Sequence, residues 1–411
     1  MMSKQQKQRL RRTRRVLAVL LPILVLSLVA LLILNHRLQR TDNSITAVSD
    51  EAMRPTESNS PSEDSSDTVA SDESAPADDS PENNAAQTAD DTSDATPEIE
   101  TEPVTMLFTG DVLLSNYVLN NYNARGIEGV LSPELLAELK NADITVINNE
   151  FPFSTRGTQA PDKQFTFRID PDYVSVLTDM GVDIASLANN HVLDYGSDAL
   201  LDTFDTLTDA GIDYMGAGTD LSRASALITK EKNGLVFGFL AASRVIPVVS
   251  WDIQNASPGV FTTYDPARLV AAIQAARESC DYLTVFVHWG IERDEYPQDY
   301  QINMAQQYID AGADLVIGSH PHVLQGITYY KEKPIFYSLG NFIFNQEIPK
   351  TAAVKVTLDG EQEPVVQLIA ASATGAYTSA NDGEKATAIY TYLESISDGI
   401  TIDDNGILAP N

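Results

Sequence analysis

Cysteine is nearly missing. Cys280 stands alone in 411 residues, so no intramolecular disulfide can form and a core must hold the fold. Positive charge is scarce too, with 27 Lys and Arg against 58 Asp and Glu and a formal net charge of −31. Beyond residue 103 the balance is 17 basic to 40 acidic residues. Such a surface excludes nucleic acid as a partner, because that binding depends on neutralising phosphates with Lys and Arg. Large apolar side chains are almost absent from residues 42–103, where 18 acids face Arg54 alone among Ser, Thr, Ala and Pro. This stretch cannot bury enough surface to offset its ordering entropy, and it reads as a disordered tether reaching roughly 45 Å. No internal repeat is visible. Histidine is limited to five positions: His36, His191, His288, His320 and His322.

Acids are missing from residues 1–41, which carry nine Lys or Arg. The basic segment 1–15 precedes an apolar run from Val16 to Leu34, 19 residues long. At about 1.5 Å per residue this approaches the roughly 30 Å of a bilayer core, so it is expected to be a transmembrane signal anchor. A cleaved signal peptide is the competing reading. The run is longer than the roughly 7–15 residues of such a peptide, and Asn35, His36 and Arg37 offer no small-residue cleavage site. The positive-inside rule then puts the N-terminus in the cytoplasm and everything after Leu34 outside the cell. The expected organisation is a single-pass cell-membrane protein with an anchor at 16–34, an acidic linker at 35–103, a folded domain at 104–395 and a tail at 396–411.

From Val104 onward apolar runs alternate with amphipathic ones, the pattern of an α/β fold. Strands are expected at Thr105–Phe108, Ile144–Ile147, Asp183–Leu187, Leu235–Ala241, Tyr282–Val287, Leu315–Ile317 and Ile335–Ser338. Helices are expected at Pro133–Lys140, Asp198–Ala210, Pro266–Glu278, Ile302–Ala311 and Glu384–Ser395, with Gly211 and Gly312 placed as C-caps. Lys355–Ala371 reads as a hairpin turning at Asp359 and Gly360.

Five of these strands end in polar residues of one chemical kind: Thr109-Gly110-Asp111, Asn148-Asn149-Glu150, Ala188-Asn189-Asn190-His191, His288-Trp289-Gly290 and Ser319-His320-Pro321-His322. Ligands of open α/β sheets bind beyond the carboxyl ends of the strands, so the five loops can converge. In the last of them, His320 and His322 would point the same way from an extended segment, with Pro321 fixing one torsion between them. Two ordinary loop histidines would look the same. Together the loops offer carboxylates, amides and four imidazoles, a mixture that suits Mn, Fe, Zn or Co better than Mg or Ca. Lys163, Arg168 and Arg293 are either contacts for an anionic substrate or solvated surface cations. Asn341 is either a hydrogen-bond donor near the metals or a turn residue, Trp289 either a stacking platform or core, and Cys280 a buried small residue.

These strand-end runs, with Tyr337-Ser338-Leu339-Gly340-Asn341-Phe342 behind them, resemble the CapA family of poly-γ-glutamate capsule biosynthesis proteins. That family is in turn similar to the calcineurin-like metallophosphatases. The resemblance covers about residues 104–395. It implies an α/β/β/α sandwich of two mixed sheets with two divalent ions (Mn, Fe or Zn) at the strand ends. It makes Asp111 and His322 ligands of one ion, Asn190, His288 and His320 ligands of the other, and Glu150 the bridge. His191 would donate a proton to the leaving group. Asp194, three residues on, either orients it, if that segment is helical, or serves the start of the helix electrostatically. Apart from the resemblance, Asn149, Arg168, Arg293 and Asn341 are candidate substrate contacts from their residue types alone. One position departs from the phosphatase pattern: Leu113 stands where most such enzymes have a histidine, and Asn149 is the candidate to make up the missing ligand. The implied activity is hydrolysis of a phosphoester in the production of an anionic surface polymer. The rival is a metal-containing, non-catalytic subunit of a membrane polymer synthase or export complex.

Overall fold

The computed structural model describes residues 102–360 and 362–411. The expected cytoplasmic segment, the anchor and the linker up to residue 101 lie outside the described residues. The described residues contain both hydrophobic clusters, so a fragment that includes them has what it needs to fold.

The strands are, in chain order, β1 (Val104–Val112), β2 (Ile144–Asn149), β3 (Ile184–Ser186), β4 (Asp213–Met215), β5 (Ala217–Gly218) and β6 (Ile228–Lys232). There follow β7 (Leu235–Ser243), β8 (Gly259–Val260), β9 (Tyr282–His288), β10 (Leu315–Ser319), β11 (Ile327–Tyr330) and β12 (Lys333–Phe336). The last are β13 (Asn341–Ile343), β14 (Glu347–Leu358), β15 (Val365–Thr374), β16 (Tyr377–Ala380), β17 (Ile400–Ile402) and β18 (Leu408–Pro410). One mixed sheet has the order β16-β15-β14-β1-β2-β3-β4, with β13 beside β1. The other has the order β11-β12-β10-β9-β7-β6. Within them β1 to β4 run parallel, as do β7, β9, β10 and β12.

Side-chain alternation explains the layers. Along β7, Phe237, Phe239 and Ala241 join the large cluster between the sheets, while Leu240 and Ala242 join a second cluster with the helices Ala267–Arg277 and Asp299–Ala311. Strand β9 divides the same way, with Phe286 inward and Leu283, Val285 and Val287 toward the helices. Phe108 of β1 meets Phe239 with ring centroids 6.4 Å apart, which ties one sheet to the other. The expected mixed α/β architecture with two mixed sheets is therefore what the chain adopts. The hairpin is β14 and β15, paired antiparallel as read.

Three expectations need correction. Residues 396–411 are no tail: β17 and β18 pair, Leu368 N donates to Gly406 O at 2.8 Å, and Ile400, Ile402 and Leu408 are buried in the large cluster. The strand expected at Ile335–Ser338 is Lys333–Phe336, because Tyr337 and Leu339 turn away to bond Gly326 and Gly318. His320 and His322 do not sit on an extended segment. Their φ angles are +96° and +59°, so the chain turns sharply at both residues.

Candidate metal centre

Close backbone approach positions the two motifs at the heart of the site. A Cβ on Gly110 would lie 1.8 Å from the Gly340 carbonyl oxygen, and one on Gly318 would lie 2.0 Å from that of Tyr337. Glycine is therefore required where β1 and β10 deliver Asp111 and His320, although neither glycine has an unusual φ. Asp111 is fixed by its amide, which donates to Gly340 O at 2.8 Å.

Beyond the strand ends, side chains from both sheets converge. Glu150, His288 and His320 bring ligand atoms within 4.8 Å of one another, and so do Asp111, Glu150 and His322. Glu150 belongs to both groups. Asn190 joins the first, its Oδ1 being 2.8 Å from His288 Nε2. His322 Nδ1 lies 3.2 Å from Asp111 Oδ2 and 2.8 Å from Asn341 Oδ1.

A layer of amides and a hydroxyl orients these groups. Asn148 Nδ2 donates to Asp111 Oδ1 at 2.7 Å, and Asn189 Nδ2 donates to Asn148 Oδ1 at 3.1 Å. Ser319 Oγ sits 3.0 Å from His288 Nδ1, which turns Nε2 toward Asn190 and Glu150. None of these three was singled out from sequence. Each stands in the same short polar run as a ligand, and that adjacency is the signal that could have found it.

Both oxygens of the wholly buried Glu150 carboxylate lack a hydrogen-bond partner, as do His320 Nδ1 and Asn149 Oδ1. Unpaired buried acceptors are costly unless a cation satisfies them. Burial, then the neighbouring Asp111, raises the Glu150 carboxyl well above its usual range. Burial and the adjacent imidazoles push His288 far down, and burial with His322 lowers His320 to about 3, so both rings are neutral and have lone pairs to offer. Burial also works against a charge on His322, yet the Glu150 and Asp111 carboxylates overcome it and raise the ring to about 10. The site calls for positive charge. Its nitrogen and oxygen donors fit divalent ions of the Mn, Fe or Zn type.

His191 lies beside this cluster. Its Nδ1 is 2.7 Å from Asp194 Oδ2, so the ring donates there and keeps Nε2 free. The link is a turn rather than the helix considered from sequence: Asp194 N bonds His191 O at 3.0 Å, and the helix begins only at Ser197. Lys163, for which a solvated surface cation is the leading expectation, is instead tucked under this turn. Its Nζ donates to Asp194 Oδ1 and to the Asn190 carbonyl, lies 3.0 Å from His191 Nδ1, and sits 5.2 Å from the centre of the Trp251 ring. Burial lowers the Lys163 ammonium, with Asp194 opposing, and burial lowers His191 against the same carboxylate. Phe167 covers His191 at 4.4 Å between ring centroids, and Phe344 covers His322 at 4.9 Å.

The remaining candidates separate. Asn149 turns its amide nitrogen to Phe151 O at 2.7 Å. Arg168 is exposed, bonds Arg156 O at 2.9 Å and lies over the Tyr195 ring, outside the ligand cluster. Arg293 is exposed and touches the site loop through its backbone, donating to Pro321 O at 2.8 Å. Trp289 is core, with Nε1 bonded to Tyr337 O at 2.9 Å, and Cys280 is buried. Leu113 is buried as well, leaving Asp111, Glu150 and His322 as the second ligand group.

The sequence profile of the family described as bacterial capsule synthesis protein PGA_cap matches residues 105–346. The chain belongs to this family. Every residue of both ligand groups, together with Asn190, His191 and Asn341, falls inside the matched segment. Among curated relatives, the capsule biosynthesis protein CapA of Bacillus anthracis is 32% identical over 259 residues, covering 61% of this chain and 62% of that one. The PGA biosynthesis protein CapA of Bacillus subtilis is 32% identical over 261 residues, covering 62% and 68%. A probable polyglutamine synthesis accessory protein of Mycobacterium tuberculosis is 35% identical over 226 residues, covering 52% and 59%. The chain thus spans about three fifths to two thirds of the length of these relatives.

Proposed function

We propose that this protein serves the production of capsule or another anionic surface polymer as a metal-dependent hydrolase of a phosphoester. In this reading Val16–Leu34 anchors it in the cell membrane, alongside other subunits of a polymer synthase, and the folded domain works outside the cell. The observation that carries the proposal is Glu150, a buried carboxylate with two unpaired oxygens shared by two histidine-containing groups. Asp111, Glu150 and His322 would hold one ion, and Glu150, Asn190, His288 and His320 a second. Such a pair supplies positive charge for both the attacking and the leaving oxygen of an in-line displacement.

The chain's own contribution is proton management. Water adds to phosphorus, the ester P–O bond breaks, and the leaving oxygen keeps the bonding electrons. His191 acts here as the imidazolium: Asp194 holds its Nδ1–H, its Nε2–H gives that oxygen its proton, and the proton released by the attacking water leaves to solvent, from which the ring is recharged. Phe167 and Phe344 keep water from the two rings they cover. A cavity of about 320 Å³, lined by His322, Asn341, Lys350 and Tyr392, gives the rest of a substrate room beside the ligands.

The test is to purify residues 93–411, measure metal per chain, and assay phosphomonoester and phosphodiester with Mn, Fe, Zn and Mg. His320→Ala is expected to lose metal and turnover together. His191→Ala is expected to keep the metal and lose turnover by about 100-fold or more. The presence of Leu113 favours a second reading, a metal-containing scaffold with a weak second ion. Full metal content with no hydrolysis, and polymer production undisturbed by His191→Ala, would decide for that scaffold.

A further inference from the structure

Nine large apolar side chains are prominently exposed among the described residues, and six of them lie on three loops: Phe165, Val248, Val249, Tyr264, Ile291 and Tyr296. Those loops follow the carboxyl ends of β2, β7 and β9, the middle one interrupted by the short β8 before it reaches Tyr264; Glu150 follows β2 and His288 ends β9. Phe165 is 62% exposed, Val249 72% and Tyr296 60%. A single exposed apolar residue means little, but several around one mouth leave a patch that water alone covers poorly.

Contacts join the loops into one rim. Lys163, two residues from Phe165, reaches the Trp251 ring of the β7 loop. Arg244 N donates to His288 O at 2.8 Å, and the Arg244 guanidinium lies 4.4 Å from the Tyr264 ring centre. Arg293 N ties the β9 loop to Pro321, between His320 and His322. Each loop also carries an arginine that forms no ion pair among the described residues: Arg168, Arg244 and Arg293. Aliphatic and tyrosine side chains mixed with arginine suit the boundary between acyl chains and headgroup phosphates.

We infer that this rim rests on a lipid surface and that the substrate of the site is a phosphoester carried on a lipid. The inference rests on the hydrolase reading for its chemistry and adds the substrate class. The proposed anchor at Val16–Leu34 would hold the domain near a bilayer, since this apolar run lies about 70 residues before β1, on a linker with an expected reach of roughly 45 Å. A second copy is a poorer occupant, because the acidic surfaces of two copies repel. Glu292 and Asp294 beside Arg293 favour a zwitterionic surface over a strongly anionic one.

The experiment uses residues 93–411 and phosphatidylcholine vesicles doped with phosphatidic acid, a phosphomonoester lipid. Flotation measures binding, and hydrolysis of phosphatidic acid is compared with that of soluble p-nitrophenyl phosphate. Val249→Ser with Ile291→Ser should weaken flotation by roughly tenfold or more, because two apolar side chains that would insert become polar. The same change should spare the soluble ester. Leu221→Ser with Val365→Ser, exposed apolar positions off the rim, should change neither. Absent flotation, equal loss in rim and control variants, or light scattering that shows a dimer dissolved by the rim change would each overturn the inference while a cleaved soluble ester leaves the hydrolase standing. Vesicle binding through the rim with no ester cleaved at all would sink the hydrolase and, with it, the substrate assignment.

Discussion

Neither oxygen of Glu150 has a hydrogen-bond partner, and the side chain has no exposed surface. Burial favours the protonated form of this carboxyl, and only a cation beside it lets it ionise at little cost, so the stability of the protein should depend on the metal through this residue. Metal at a hundredfold excess over its Kd adds about 2.7 kcal/mol to a fold that binds it only when native. Glu150→Gln keeps the shape and removes the shared anionic ligand. Melting with and without a chelator should show a drop of several degrees for the wild type and almost none for Glu150→Gln; equal drops would mean that the metal is held elsewhere. Glu150 and the histidines were legible because each ends a strand-like apolar run. Lys163 was not. It is 28 residues from His191 in the chain and meets it only because the β2 loop folds back under the Asn190–Asp194 turn, a contact no spacing announces.

The elements that could be read from the sequence are those whose period is strong. The helix expected at Pro133–Lys140 is Pro133–Asn141, with Ser132 capping it by accepting from Leu135 N, and Gly312 ends Asp299–Ala311 in the left-handed conformation as its position suggested. Strands of three residues such as β4, and the mostly polar β6, have too few alternations to be recognised. The ligand-bearing segment His320–His322 is not extended as its sequence suggests, because positive φ at both histidines is imposed by the fold around them and is not a preference of histidine. Glycine carries the legible part of that geometry. Ala at Gly110 or Gly318 would push a methyl group into a neighbouring backbone carbonyl, a clash costing about 1–3 kcal/mol or more. Both variants should keep the wild-type far-UV circular dichroism and lose bound metal, because what moves is the strand end that holds Asp111 or His320. Wild-type metal content in Gly318→Ala would show that His320 is placed by something other than this approach.

Across the whole molecule, the ligands divide between the two sheets. Asp111 lies at the end of β1, and Glu150 and Asn190 follow β2 and β3 of one, whereas His288 ends β9 and His320 and His322 follow β10 of the other. Between them the sheets share an apolar layer that includes Phe108, Phe239 and Phe286, which is non-directional and sets no fine register at the strand ends. A metal held by these ligands would join the sheets where that layer stops. Each ion would take ligands from both sides, so loading should restrain the ends of β1, β2, β9 and β10 together while leaving the distant β17–β18 hairpin unchanged. Amide hydrogen exchange can measure this. On adding Mn or Zn to chelated protein, exchange should slow at Asn149, Glu150, Trp289 and His320 alike, and His320→Ala should weaken the protection on the Glu150 side as well as its own. Protection confined to one sheet would mean that the two ligand groups do not share an ion pair, and the bridging role of Glu150 would have to be given up.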